Sequence, residues 1–166
     1  NSKKLLGELG DFPEGIMAIG RLDEKSEGLL LLTTDGQVSN HICSSKVEKE
    51  YYAQIDGAIT DEALEILRNG VKIGFDGKKY MTQPSEVKLL IPTPVFPIRN
   101  KKIRDERHGP TSWVSITLRE GKFRQVRKMT SAVGFPTLRL VRVRIGDILL
   151  GNMEIGKVLE QHKLLL

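Results

Sequence analysis

The residues best equipped for chemistry in this chain surround a loop carboxylate. Gly20-Arg21-Leu22-Asp23 leads through Ser26-Glu27-Gly28 into the apolar run Leu29 to Leu32. A carboxylate in a loop braced by a core strand can act as a nucleophile or a base, because the strand fixes where its oxygens point. By itself the tetrapeptide equally describes a turn with a surface ion pair. Metal chemistry finds little support. Cys43 is the only cysteine, and His41, His108 and His162 lie far apart without metal-ligand spacing. One cysteine excludes an internal disulfide and a thiolate-rich metal site, and it fits a reducing compartment.

Charge supplies the second signal. The net value of +5 is modest, and charged residues make up 28% of the chain. Between Lys101 and Ile145, however, twelve Lys or Arg face only Asp105, Glu106 and Glu120, a local +9 that leaves −4 for the remainder. Such asymmetry suits a polyanion on one side of the molecule, although a solvated basic face would read the same way. No apolar run approaches the ~20 residues needed to span a bilayer. No secretory leader is visible at the N-terminus.

The elements that must position Asp23 follow from periodicity and punctuation. Residues 16–19 read as a short strand entering the loop, and 29–34 as a strand leaving it. Asp35-Gly36 turns the chain into a short helix over 37–43. Residues 49–55 form a Tyr-rich strand. Thr60 and Asp61 cap a helix over 62–69 that Gly70 ends. Asp76-Gly77 joins strands at 71–73 and 80–82, and 86–91 is a further strand stopped by Pro92. A long loop then runs to about Pro110. Residues 112–118 alternate as a half-buried strand, 123–133 carry a helical apolar stripe, and 137–145 form a strand. In that last strand the apolar and basic faces swap near Val141. It passes either from core into a basic groove or through a β-bulge. Ile116, Leu118 and Val126 read as core. Strands outnumber helices in mixed order, so the expected class is α+β with a mixed, mostly antiparallel sheet flanked by helices and loops.

The seventeen-residue string GRLDEKSEGLLLLTTDG closely resembles the catalytic motif of the rRNA pseudouridine synthases of the RsuA/RluB/RluE/RluF family. Val47-Glu48-Lys49-Glu50-Tyr51 resembles that family's V-x-K-x-Y motif, and Leu118 to Met129 resembles its E-G-x-x-R-Q-[VI]-R-[RK]-M motif. Pro110 to Trp113 and Val133 to Leu140 look like the RluE branch, which acts on large-subunit rRNA. The resemblance spans roughly residues 16–160, with the motifs in the family's order.

The resemblance implies the pseudouridine synthase fold with a central cleft, and the isomerisation of a specific uridine in 23S rRNA without cofactor or metal. Asp23 would be the nucleophile, Tyr51 would lie against the flipped-out base, and Arg127 would pair with Asp23. Arg21 would reach into the gap left by the base, or else form a surface ion pair. Arg124, Lys128, Arg142 and Arg144 would meet phosphates, with Lys49 and Lys122 also on the RNA. The implied partner is rRNA, free or in an assembling large subunit, and the implied protein is a cytoplasmic monomer. One catalytic domain would cover 1–166. The K-P-x-x-V strand that opens the family's domain is not found in the sequence, and neither is an S4-type domain.

Two other readings use the same residues. An RNA-binding ribosome-assembly factor could keep the fold without catalysis, although intact Asp23, Tyr51 and Arg127 speak against it. A carboxylate glycosidase needs a second acid across the cleft. Asp35 and Glu27 are close in sequence, but neither sits in a matching motif.

Overall fold

The computed structural model describes residues 4–99 and 103–162, with the side chain of Glu106 also left aside. Its centre is β4 (Lys49–Asp56), which pairs antiparallel with β8 (Thr111–Leu118) on one side and β9 (Thr137–Ile145) on the other. The sheet continues to β7 (Glu86–Leu89) beyond β8 and to β10 (Ile148–Leu149) beyond β9. One short strand, β2 (Glu27–Gly28), joins β9 in parallel. The class is therefore α+β with a mixed, mostly antiparallel sheet, as the sequence predicts.

Period-two patterning explains what covers each face. Ala53 and Ile55 of β4, Val114 and Ile116 of β8, and Leu140 of β9 form a core with α2 (Asp61–Asn69) and α3 (Gln125–Ala132). The α2 helix contributes Leu64 and Leu67, and α3 contributes Val126 and Met129. Thr60 caps α2 by accepting from the Ala63 amide at 3.2 Å, a contact worth ~1 kcal/mol. Against the other face, Phe96 from the proline-rich segment packs on Tyr52 and Trp113 and lies under the Arg139 guanidinium. The sequence makes β8 half-buried, yet Trp113, Ser115 and Thr117 are buried as well as Val114 and Ile116. That long loop and the polar pair Ser115–Glu50 (2.7 Å) help account for the difference.

A second, smaller core gathers Ile19, Leu29, Ile42, Val47 and Ile145. It joins β1 (Met17–Ala18), β3 (Leu32–Thr33) and α1 (Gly36–Cys43) to the end of β9. The expected strand over 29–34 is divided. Residues 27–28 pair with β9, whereas 32–33 pair with β1. Leu29 donates its amide to the Arg142 carbonyl at 2.9 Å, and Leu31 accepts from the Ile19 amide at 2.8 Å, so the run crosses from one sheet to another. The β5–β6 hairpin, Lys72–Phe75 and Lys78–Met81, turns at Asp76-Gly77, where both residues take positive φ as a tight hairpin requires.

The face swap in β9 is a bulge, placed at Val143 rather than Val141. Glu50 pairs with Arg144 and Tyr51 with Arg142, leaving Val143 as the extra residue, and Leu138 is extra in the same way near the strand's start. Among the described residues no helix is long and apolar enough to cross a membrane.

Candidate active site

A cleft of about 290 Å³ opens between the two cores. Ile19, Ile42 and Ile145 line it from the smaller core, and Leu118, Val126 and Leu140 from the larger. Arg21, Asp23, Lys49, Tyr51, Lys122, Arg124 and Arg142 also line it, so most of the residues selected from sequence meet here. Arg127 and Lys128 border an adjacent hollow that shares Arg124 with the cleft. Arg144 lines neither.

The Asp23 loop is a tight turn closed by the Ser26 amide donating to the Asp23 carbonyl at 2.8 Å. It gains its shape from distant arginines. Arg142 Nε donates to the Leu29 carbonyl at 2.8 Å and Nη1 to the Arg21 carbonyl at 3.3 Å. Arg127 Nη2 donates to the Lys25 carbonyl at 3.1 Å and to Ser26 Oγ at 3.2 Å, and Arg99 reaches the same Lys25 carbonyl at 3.0 Å. Behind the loop, Glu27 takes a two-pronged contact from Arg139 at 2.8 and 2.9 Å and a third from Arg99 at 3.3 Å. Paired planar groups of this kind fix orientation as well as charge.

Asp23 itself is only 19% exposed, and the cation paired with it is Arg124 at 3.6 Å. This corrects the expected pairing with Arg127, which instead grips the loop's backbone. Burial, and next the adjacent Arg124 charge, lower the Arg127 pKa against the opposing pull of Asp23. Arg124 owes its aim to its backbone. It caps α3 with φ 53 and ψ 35, a left-handed conformation uncommon for any residue but Gly, Asn or Asp. The turn before it is locked by Glu120, which accepts from the Gln83 amide at 2.8 Å, from Gln125 Nε2 at 2.7 Å and from the Tyr80 hydroxyl. That last bond raises the Tyr80 pKa. Gln125 closes the turn by accepting from the Lys122 amide at 3.0 Å. Strain of order 1–3 kcal/mol at one residue persists only where neighbours over-determine it, as they do here.

Tyr51 is half-buried, packs against the larger core and turns one side to the cleft. Arg21 lies 5.3 Å over the ring of Phe123, itself exposed at the cleft. Lys122 sits between the rings of Phe75 and Tyr80, at 5.0 and 5.1 Å. Lys128 bonds the Gly74 carbonyl at 2.8 Å.

Three cations expected on the RNA are used internally. Arg142 is 6% exposed and commits Nε and Nη1 of its guanidinium to the Asp23 loop. Arg144 is held by Glu50 at 2.9 Å and Glu48 at 3.3 Å, a pairing that raises its pKa. Lys49 donates to the carbonyls of Val47 and Ser44 at 2.8 and 3.2 Å, and burial pushes its ammonium below the usual lysine range. The acceptors lie up to 121 positions away for Arg142 and 96 for Arg144, so their types alone do not reveal these roles. Glu120 and Gln125, by contrast, stand inside the motif that supplies Arg124, yet no site role was expected of them. Nor was one expected of Arg99, Arg139 or Glu27 as supports of the loop.

The chain belongs to the RNA pseudouridylate synthase family, whose model matches residues 2–132. It is 45% identical over 144 residues to the ribosomal large subunit pseudouridine synthase E of Vibrio parahaemolyticus, covering 86% of this chain and 58% of that protein. The enzyme of the same name from Xanthomonas axonopodis pv. citri is 44% identical over 147 residues, or 87% of this chain and 75% of the other. The chain thus spans between about half and three quarters of these relatives. A crystal structure of a pseudouridylate synthase superposes with a TM-score of 0.70 at 30% identity, over 92% of this chain and 59% of that one. A human RNA pseudouridylate synthase domain-containing protein shares the fold at 17% identity and a TM-score of 0.52, over 79% of this chain and 63% of the other.

Proposed function

We propose that this protein isomerises a uridine of large-subunit ribosomal RNA to pseudouridine, as a cofactor-independent, cytoplasmic monomer acting on rRNA. The observation that carries the reading is Asp23, held between two hydrophobic cores beside Arg124 and in one cleft with Tyr51. At about 290 Å³ the cleft is at the small end of ligand pockets, which run from roughly 300 to 1,000 Å³, and suits one extruded nucleoside.

The reaction cuts the bond from ribose C1′ to uracil N1, turns the base, and joins C1′ to C5. N1 gains a proton and C5 loses one, so atoms balance without redox or added reactant. The Asp23 carboxylate either attacks the sugar or assists departure of the base. Arg124 aims it. Extrusion costs a few kcal/mol, offset in part by stacking on Tyr51 worth ~1–3 kcal/mol. Arg21, which lies over the ring of Phe123, would enter the gap that the base leaves.

Incubation of transcribed 23S rRNA with the protein, followed by carbodiimide-adduct primer extension, tests the reading. One new adduct stop at a uridine is expected. Binding without any stop would replace this function with that of a non-catalytic assembly factor. Tyr51 has its own test on the same RNA. Tyr51→Phe keeps the stacking face and should bind like the parent, whereas Tyr51→Ala should bind more weakly, by ~1–3 kcal/mol. A Phe variant that binds normally but turns over slowly would make the hydroxyl a proton carrier. Parent-like behaviour of both would remove Tyr51 from the site.

A further inference from the structure

The hollow beside the cleft, about 380 Å³, lies between the β5–β6 hairpin and α3. Lys72, Lys79, Arg124, Arg127 and Lys128 line it, and among the described residues no carboxylate does. The hairpin is two-faced. Ile73 and Tyr80, directly paired, turn toward the larger core, while Lys72 and Lys79 are exposed on the side of the hollow. Lys128 is already partly engaged by the Gly74 carbonyl, and Arg127 by the Asp23 loop. Lys72 and Lys79 are the cations placed to meet an incoming anion.

We propose that this hollow holds backbone phosphates of the RNA strand flanking the extruded uridine, with Lys72 and Lys79 as the contacts. The proposal rests on the reading of the cleft as an RNA uridine site. Continuity supports it, because Arg124 borders both cavities, so that a strand leaving the cleft beside Arg124 would meet the hollow next. Charge supports it too, since lysine is a point charge suited to diester oxygens that carry no sequence information. The two-faced hairpin moves the phosphate track away from Arg142 and Arg144, whose guanidinium groups are already engaged within the protein.

Filter binding of transcribed 23S rRNA across a series of salt concentrations tests the proposal. The Lys72→Gln/Lys79→Gln double variant should bind roughly tenfold more weakly near physiological salt. Its log–log salt slope should be shallower by about 1.4, two single-strand contacts at ~0.7 each. Lys72→Arg/Lys79→Arg should restore both quantities. Lys88→Gln, which removes a lysine paired with Glu86 on β7, should match the parent. Parent affinity and slope in the Gln double variant, with an unchanged melting temperature, would overturn the proposal. So would unchanged RNA binding accompanied by weaker binding of polyglutamate, which would assign the hollow to an acidic protein. If the parent forms no pseudouridine in this transcript, the functional reading falls separately, and the comparison of affinities still decides the hollow.

Discussion

Asp23→Asn is expected to remove turnover, by on the order of 10⁴–10⁶-fold as for loss of an essential nucleophile. The substitution keeps shape and size and deletes the charge that the proposed reaction needs. The loop should remain in place, because Arg142, Arg127 and Arg99 hold its backbone and none of them bonds the Asp23 side chain. The fold should therefore survive the change, and RNA binding should persist. Tritium release from transcripts carrying 5-tritiated uridine measures the step directly. Arg124→Gln should fall between the parent and Asp23→Asn, since it spoils the aim of the carboxylate without removing it. Retained tritium release in the Asn variant would end the nucleophile assignment.

The sequence disclosed the centre of this site better than its supports. Asp23, Tyr51 and the segment 118–129 were legible because each motif is local and its residue types suit the chemistry. The Arg124–Arg127 exchange was not legible, since it turns on a left-handed φ at a residue that ordinarily avoids it. Arg142 and Arg144 misled for another reason. A basic residue in a strand reads as a phosphate contact until its acceptors are known, and these come from the Asp23 loop and from Glu48 and Glu50. The leucine run misled similarly, as burial is written in composition whereas the choice of pairing partner is not. The fold class and the α2 boundaries came through with little change, because periodicity and capping are properties of neighbouring residues.

Gly28→Ala is expected to be the most damaging small substitution in the loop's support. A Cβ at this position would lie 2.2 Å from the Arg142 carbonyl oxygen and 2.6 Å from its nitrogen, both backbone atoms of the central sheet. The φ of 106° adds conformational strain for any residue with a side chain. Together these should cost about 3 kcal/mol or more, lowering the melting temperature by roughly 6–12 °C for a chain of this size. Activity should fall further than stability, because β2 must separate from β9 and take Asp23 with it. Gly36→Ala is the matched comparison. Nothing lies within 4 Å of its new Cβ, and it should be neutral or stabilising by up to about 1 kcal/mol. Calorimetric melting of the two variants decides the matter. Equal midpoints would show that β2 does not rest against β9.

The arginine bonds to the Asp23 loop set an order of events during synthesis. Leu29 and Arg142 are 113 positions apart, Ser26 and Arg127 101, and Lys25 and Arg99 74. Contacts of such separation form late, because the intervening chain must first give up its freedom. The segment bearing Asp23 leaves the ribosome early but has no partner for Gly28 or Leu29 until β9 has emerged and docked on β4. A nascent chain that is still being translated therefore carries the carboxylate without the geometry that aims it.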